Sequence, residues 1–473
     1  MNNNFMMFAD GYKLCHHNQY PTGTKSIYSY FESRVGAAFP YTVFYGLQGL
    51  LKEHMTGQVI WPTHIHDMKE LSTEYFGDNL LFNEDGWKDI LNRYEGRLPI
   101  EIKAVPEGSV IPTSNVLLTV QNTDPKHAWL TNFVETILTN VWYPSTVATL
   151  SRQVKEDLKA WLNMTSDNSN GLPFMLHDFG ARGVENVEAA GIGGSAHIVN
   201  FLGTDTLAGM QYARNQYKAE VKGLAYSVPA TEHSVMTAEG EGGESLVVKR
   251  LLDNHPTGIL SIVGDSYSIY NFVDNIIASN KEQIQNRKPN SFGVAKVVVR
   301  PDSKTPIHPN CGDQVVWILN SLAKTFGTLI NSKGYAVLNQ CVGVLWGDGI
   351  DRQGINDICQ KVEEAGFSVE SLVFGMGGGL LQKINRDTNR FAFKCSARED
   401  SEGVWHDIYK KPLDESKASK RGKLKLVNTE NGYKTVKTGT YCLYPDQLQT
   451  VFKNGYMTKE YSFADVRKNS ELG

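Results

Sequence analysis

Residues 174–205 read FMLHDFGARGVENVEAAGIGGSAHIVNFLGTD, and this stretch decides the fold. A short apolar run ends in Asp178, a helix-length segment follows, and a second apolar run ends in Asp205. The unit then recurs in LAYSVPATEH (224–233), LSIVGD (260–265), VAKVVVRPD (294–302), VGVLWGD (342–348) and SLVFGMGGG (371–379). The runs end at 178, 205, 233, 265, 302, 348 and about 377, so successive steps are 27, 28, 32, 37, 46 and 29 residues. Each step is long enough for a crossover helix between parallel strands.

The intervening segments have helical periodicity. Residues 266–285 place Ile269, Phe272, Val273, Ile276 and Ile277 on one stripe. Residues 351–367 do the same with Ile355, Ile358, Val362 and Ala365, and Gly366 supplies a stop. Strands that are apolar throughout imply a parallel sheet covered on both faces, and seven such units favour closure. The expected fold is α/β: an irregular parallel α/β barrel over 151–396. Outward from it, the flanks mix helices with short strands such as SVIPTSNVLLTVQNT (109–123) and a polar, then strand-like, tail. They are expected to form one α+β subdomain built from both chain ends, 1–150 plus 397–473.

Composition narrows the function. The 473 residues are 41% hydrophobic and 21% charged, enough for a large core and too little charge for disorder. Lysine and arginine number 47 against 51 acids, a net charge of −4, which argues against a general nucleic-acid binder. An anionic ligand must therefore be held by a local cluster. The six cysteines, at 15, 311, 341, 359, 395 and 442, form no CxxC pair and read as reduced thiols. No signal peptide or membrane-spanning run is visible, so a cytoplasmic protein is expected.

In barrels the reactive groups sit at the carboxyl ends of the strands. Asp178, Asp205, His233, Asp265, Asp302 and Asp348 all hold that position. Any one of these acids could be a helix N-cap. Six such groups at one mouth suit a polyhydroxylated, cationic or metal-bound ligand. The loop GMGGGLL (375–381) reads as a tight turn or as a phosphate cradle, with Lys383, Arg386 and Lys394 close behind. Leu380 stands where a dinucleotide fingerprint needs its third glycine. The tract 409–426 carries seven basic residues against two acids and reads as a solvated loop or a polyphosphate lid. The HxH of THIHD (63–67) could bind metal on a strand, as in an amidohydrolase, but it lies outside the barrel rhythm.

DGYKLCHHNQYP (10–21), YSYFESR (28–34), HDFGARG (177–183), GIGGSAHIVNFLGTDTLAG (191–209), SVPATEHS (227–234), GDSYSIYN (264–271), VVRPDS (298–303), WGDGID (346–351) and FGMGGGLLQKINRD with FKCS (374–396) run in order along the chain. Together they make the sequence closely resemble the nicotinamide phosphoribosyltransferases, a group of type II phosphoribosyltransferases. The resemblance implies transfer of 5-phosphoribosyl from phosphoribosyl pyrophosphate to nicotinamide, giving nicotinamide mononucleotide and pyrophosphate in NAD salvage. It implies Mg²⁺, ATP as an activating co-substrate, and a homodimer with shared active sites.

Residue by residue, the resemblance assigns nicotinamide contacts to Phe179, Arg182, Asp205 and Ser261, with Tyr12 covering the ring from the partner subunit. Arg34, Arg182, His233, Arg300, Asp302, Gly347, Asp348, Gly377, Gly378, Arg386, Lys394 and Lys410 would hold phosphates and ribose. His233 would be a phosphohistidine oriented by Asp265, and with Asp302 these make the expected catalytic set. Bound Mg²⁺ would be held mainly through pyrophosphate. After Arg34 the chain runs VGAAFPYTVFYG (35–46), so a family lysine expected there has no counterpart. A pyridine nitrogen needs no general base, and catalysis would be positioning and electrostatics. Two alternatives stay open: a nicotinate phosphoribosyltransferase, and a non-catalytic binding protein on the same fold.

Overall fold

The structure, a computed structural model, describes residues 4–77, 81–410, 419–440 and 442–472. The strands of its two main sheets are numbered here β1 to β13 in chain order. The barrel sheet is parallel and contains β4 (Leu176–Asp178), β5 (Gly203–Thr204), β6 (Ile259–Val263), β7 (Lys296–Arg300), β8 (Val342–Trp346) and β9 (Leu372–Met376). Their spatial order is β5-β4-β9-β8-β7-β6. All five residues of β8 are buried, as a strand packed between the barrel interior and the outer helices requires.

The two edge strands do not meet directly. Residues 224–231 close the ring as a seventh, irregular stave. Gly203 bridges Tyr226 and Ala230 bridges Ser261, both in the parallel sense. Pro229 has no N–H to donate to a ladder, and its carbonyl accepts from Ser261 N at 2.9 Å instead. The run 197–205 is strand only at Gly203–Thr204, because its first residue, His197, ends the preceding helix.

Helices α1 (Trp142–Thr165), α2 (Val187–His197), α3 (Leu207–Tyr217), α4 (Glu244–Asn254), α5 (Cys311–Phe326) and α6 (Arg352–Glu364) clothe the ring. Pairs α1/α2, α2/α3 and α5/α6 pack together. The stripe expected over 266–285 is buried, but the helix is not continuous. An α-turn at Ile269–Asn271 widens into a π-helix over Phe272–Ile277, and a separate helix spans Lys281–Gln285. The wide turn keeps Phe272, Val273, Ile276 and Ile277 all facing inward.

The second sheet is antiparallel, in the order β11-β10-β1-β3-β2-β12-β13. It draws β1 (Ser26–Glu32), β2 (Ile100–Ala104) and β3 (Val116–Asn122) from the start of the chain. The end contributes β10 (Ala392–Glu399), β11 (Trp405–Asp407), β12 (Gln449–Lys453) and β13 (Tyr456–Met457). Central β1 is buried along all seven residues. The divisions expected at 150/151 and 396/397 fall inside α1 and β10. Residues 63–67 lie on a helix, Pro62–Phe76, not on a strand, and the buried His64 ring approaches the Val59 carbonyl at 3.2 Å. Among the described residues no group of three or more His, Cys, Asp or Glu is arranged to hold a metal, and no helix is long and apolar enough to cross a membrane.

Candidate active site

The carboxyl ends of the barrel strands open into one cavity of about 810 Å³. Phe179 and Arg182 reach it from the turn after β4, and Asp205 from the turn after β5. His233 comes from the closing segment, Arg300 and Asp302 from β7, Gly347 and Asp348 from β8, and Gly377 and Gly378 from β9. Ten of the residues singled out in the sequence thus converge from five staves and the closing segment.

The competing explanation, helix capping, fails for these acids. Helix α2 is capped by Asn186, α5 by Asn310 and α6 by Asp351, and Ser268 caps the turn at Ile269. The strand-end aspartates are left to face the mouth or to brace it. Asp178 braces: it is fully buried, and its Oδ1 accepts from Gly180 N at 2.7 Å within the Phe179 turn. Among the described residues its Oδ2 has no hydrogen-bond partner. Burial pushes its carboxyl up to about 6, against the pull of the Gly180 N–H.

Phe179 is seated by glycines. A Cβ on Gly375 would meet its Cε2 at 2.1 Å, and one on Gly347 would meet it at 3.4 Å. The ring therefore lies over the ends of β8 and β9, where side chains would otherwise stand. After the neighbouring β5, the Asp205 carboxylate accepts from Ser227 Oγ, which fixes its direction. At the end of β7, Arg300 Nη2 donates to the Thr231 carbonyl, and its buried Nε has no hydrogen-bond partner among the described residues. A Cβ at Gly379 would strike the Ile350 carbonyl at 2.5 Å, so this turn is close-packed backbone. Burial, then the Asp302 charge, raises the Asp348 carboxyl, and Lys304 opposes them.

His233 is not held by Asp265 through a hydrogen bond. Its Nδ1 lies 2.9 Å from Ser266 Oγ. Its Nε2 is 3.6 Å from Asp302 Oδ2 and 3.9 Å from Asp265 Oδ1. Asp265 is otherwise engaged: its Oδ2 accepts from Asp302 N at 3.0 Å and from Ser303 Oγ. Ser266 and Ser227 are polar residues the sequence reading passed over, since nothing marks a serine beside a conspicuous acid. Lys383, noted only as a basic residue after the glycine loop, lines the cavity.

The remaining candidates lie elsewhere in this chain. Ser261 is buried within β6, below the mouth, with its Oγ unpartnered. Arg386 is exposed and turned onto its neighbour Asp387 at 3.2 Å. Tyr12 is exposed and packs on His16. Lys394 belongs to the flanking sheet, where it faces Tyr30 across the β1/β10 pair, and Arg34, two residues past the end of β1, donates through Nε to the Arg390 carbonyl. Burial, then the charges of Arg34 and Lys410, lowers the Lys394 ammonium. Residues 411–418 of the basic tract, with both of its acids and two of its seven basic residues, lie outside the described residues.

Comparison with known proteins agrees with this geometry. The family model described as "Nicotinate phosphoribosyltransferase (NAPRTase) family" matches residues 174–456, and "Nicotinamide phosphoribosyltransferase, N-terminal domain" matches residues 4–102. A nicotinamide phosphoribosyltransferase of Xanthomonas campestris pv. campestris is 43% identical over 99% of this chain and 98% of its own. One from Acinetobacter baylyi is 32% identical over 97% of this chain and 95% of its own. The fold also matches a nicotinate-nucleotide pyrophosphorylase from Pyrococcus furiosus, with a TM-score of 0.60 and 14% identity over 99% of this chain and 95% of that one. With a barrel mouth of this composition, and with likeness along its whole length, the chain belongs to the nicotinate phosphoribosyltransferase family and is a pentosyltransferase of NAD salvage.

Proposed function

We propose that the protein transfers 5-phosphoribosyl from phosphoribosyl pyrophosphate to nicotinamide, releasing pyrophosphate. The observation that carries the choice of pyridine is Asp205. Its carboxylate shares the cavity with Phe179 and is aimed by Ser227. A carboxylate accepts from the NH₂ of a carboxamide, whereas nicotinate would set two anions together. The Phe179 face takes the ring. The amides of Gly377–Gly379, with Lys383, take the 5-phosphate, and Arg182 and Arg300 take the diphosphate.

As the anomeric bond breaks, the ribose gains oxocarbenium character, and Asp302 and Asp348 supply negative potential beside it. The pyridine nitrogen attacks with its own lone pair, so the site needs no base. Mg²⁺ fits the donor chemistry: Asp302 and Asp348 offer hard oxygens, and the buried Asp265 Oδ1 has no hydrogen-bond partner among the described residues. The ion would offset charge on the departing diphosphate and would be held largely by that group's own oxygens. ATP would act by phosphorylating His233, which stands among those acids at the phosphate end. A second copy would bring Tyr12, Arg34, Lys394 and Lys410 to the mouth, which accounts for their not lining the cavity of their own chain.

The test is a competition assay with both pyridines, phosphoribosyl pyrophosphate and Mg²⁺, with and without ATP. Preferential formation of nicotinamide mononucleotide supports the reading. Preference for nicotinate overturns the role given to Asp205.

A further inference from the structure

We infer that Ser266 is the positioning residue of His233, and that it decides which ring nitrogen faces the acids. This rests on the reading of His233 as the ATP-responsive group. The imidazole is half-exposed, at 46% for the side chain, so packing alone does not fix it. Among the described residues, Ser266 is the side chain that hydrogen-bonds the ring, at 2.9 Å from Nδ1. The nearby polar groups are engaged otherwise. Ser234 Oγ donates to Glu232, and Thr237 Oγ1 donates to the His233 backbone carbonyl.

Ser266 is itself well anchored. The Asp265 carboxylate before it is tied to the backbone of Asp302 and to Ser303, and Ser268 after it caps the next turn. Two carboxylates face Nε2, at 3.6 and 3.9 Å. Their charge favours the tautomer that carries its proton on Nε2. Nδ1 is then an acceptor, and the Ser266 hydroxyl donates to it. One rigid turn thus sets both parts of the arrangement: Asp265 fixes where Asp302 stands, and Ser266 turns the imidazole toward it. Without the hydroxyl, the ring is free to rotate and to present either nitrogen.

The experiment measures the ratio of the rate with ATP to the rate without it, for the wild type and for the His233→Ala, Ser266→Ala and Ser266→Thr variants. Thermal melts verify that each is folded. Ser266→Ala is expected to lower the ratio to within about twofold of His233→Ala, and Ser266→Thr, which keeps the hydroxyl, to restore most of it. A wild-type ratio in Ser266→Ala, or equal loss in the Ala and Thr variants, overturns the inference. A wild type indifferent to ATP refutes the phosphohistidine reading instead. The positioning role is then decided by long-range ¹H–¹⁵N spectra of ¹⁵N-histidine protein. A His233 Nδ1 resonance that moves in Ser266→Ala and stays in Ser266→Thr supports it, and one unmoved by Ser266→Ala ends it.

Discussion

The ring of Phe179 occupies the space that a side chain on Gly375 would need, with 2.1 Å between a Cβ placed there and Phe179 Cε2. An aromatic face lining the cavity is thus made by omission on the neighbouring strand. Gly375→Ala must displace the ring or bend β9, and overpacking of this kind costs about 1–3 kcal/mol. Misplacing the ring is expected to lower kcat/KM for nicotinamide by about ten- to a hundredfold, with a smaller change in the KM for phosphoribosyl pyrophosphate. Steady-state kinetics in which Gly375→Ala leaves kcat/KM for nicotinamide unchanged would show that the ring is not what Gly375 protects.

Asp205 is expected to set the discrimination between amide and acid. Asp205→Asn removes the negative charge that opposes nicotinate and places a donor where the carboxamide offers one. The ratio of kcat/KM for nicotinamide over nicotinate should fall by tenfold or more, on the order of 1.4 kcal/mol. Loss of both activities in parallel would make Asp205 a general requirement and not a selector.

The barrel was legible because strands buried on both faces cannot hide their composition: β8 reads as five consecutive apolar or glycine positions closed by Gly347 and Asp348. Where helix and strand share an apolar run, the boundary blurs. His197 and Phe201 stack with ring centroids 5.4 Å apart, both in the core, although only the first is in α2 and neither is in β5. The mouth residues were legible as charges at strand ends. Their supports were not, because Ser266 and Ser227 act through direction, which a sequence does not carry. The distance between Lys394 and the cavity was equally hidden, since Lys394 follows Lys383 closely in sequence while its strand turns into the other sheet.

Asp178 gives a pH signature. Burial holds its folded-state carboxyl up at about 6, above the ordinary 3.8. The folded chain keeps this proton where the unfolded chain has lost it, so the contribution to stability is complete below pH about 4 and disappears as pH rises through about 6. The full span is on the order of 2–3 kcal/mol. Asp178→Asn cannot ionise, so the stability of the variant relative to the wild type should rise between pH 4 and pH 8. Denaturant titrations at those two pH values decide it: a constant difference would mean that the carboxyl is ionised throughout.

Gln314 is fully buried in α5 and clamps the segment that carries Asp302 and Lys304. Its Nε2 donates to the Ser303 carbonyl at 3.0 Å, and its Oε1 accepts from Thr305 N at 3.1 Å. The Asp265 carboxylate grips the same segment from the other side. Gln314→Leu keeps the bulk and removes both bonds, leaving a carbonyl and an amide without partners at about 1–3 kcal/mol each. The melting temperature should fall, and the KM for phosphoribosyl pyrophosphate should rise by about tenfold while that for nicotinamide moves little. The asymmetry follows from the proposed roles: Asp302 reaches the cavity from the end of β7 and Phe179 from the turn after β4. A variant that melts early but binds both substrates normally would show that Asp265 alone is enough to hold Asp302 in place.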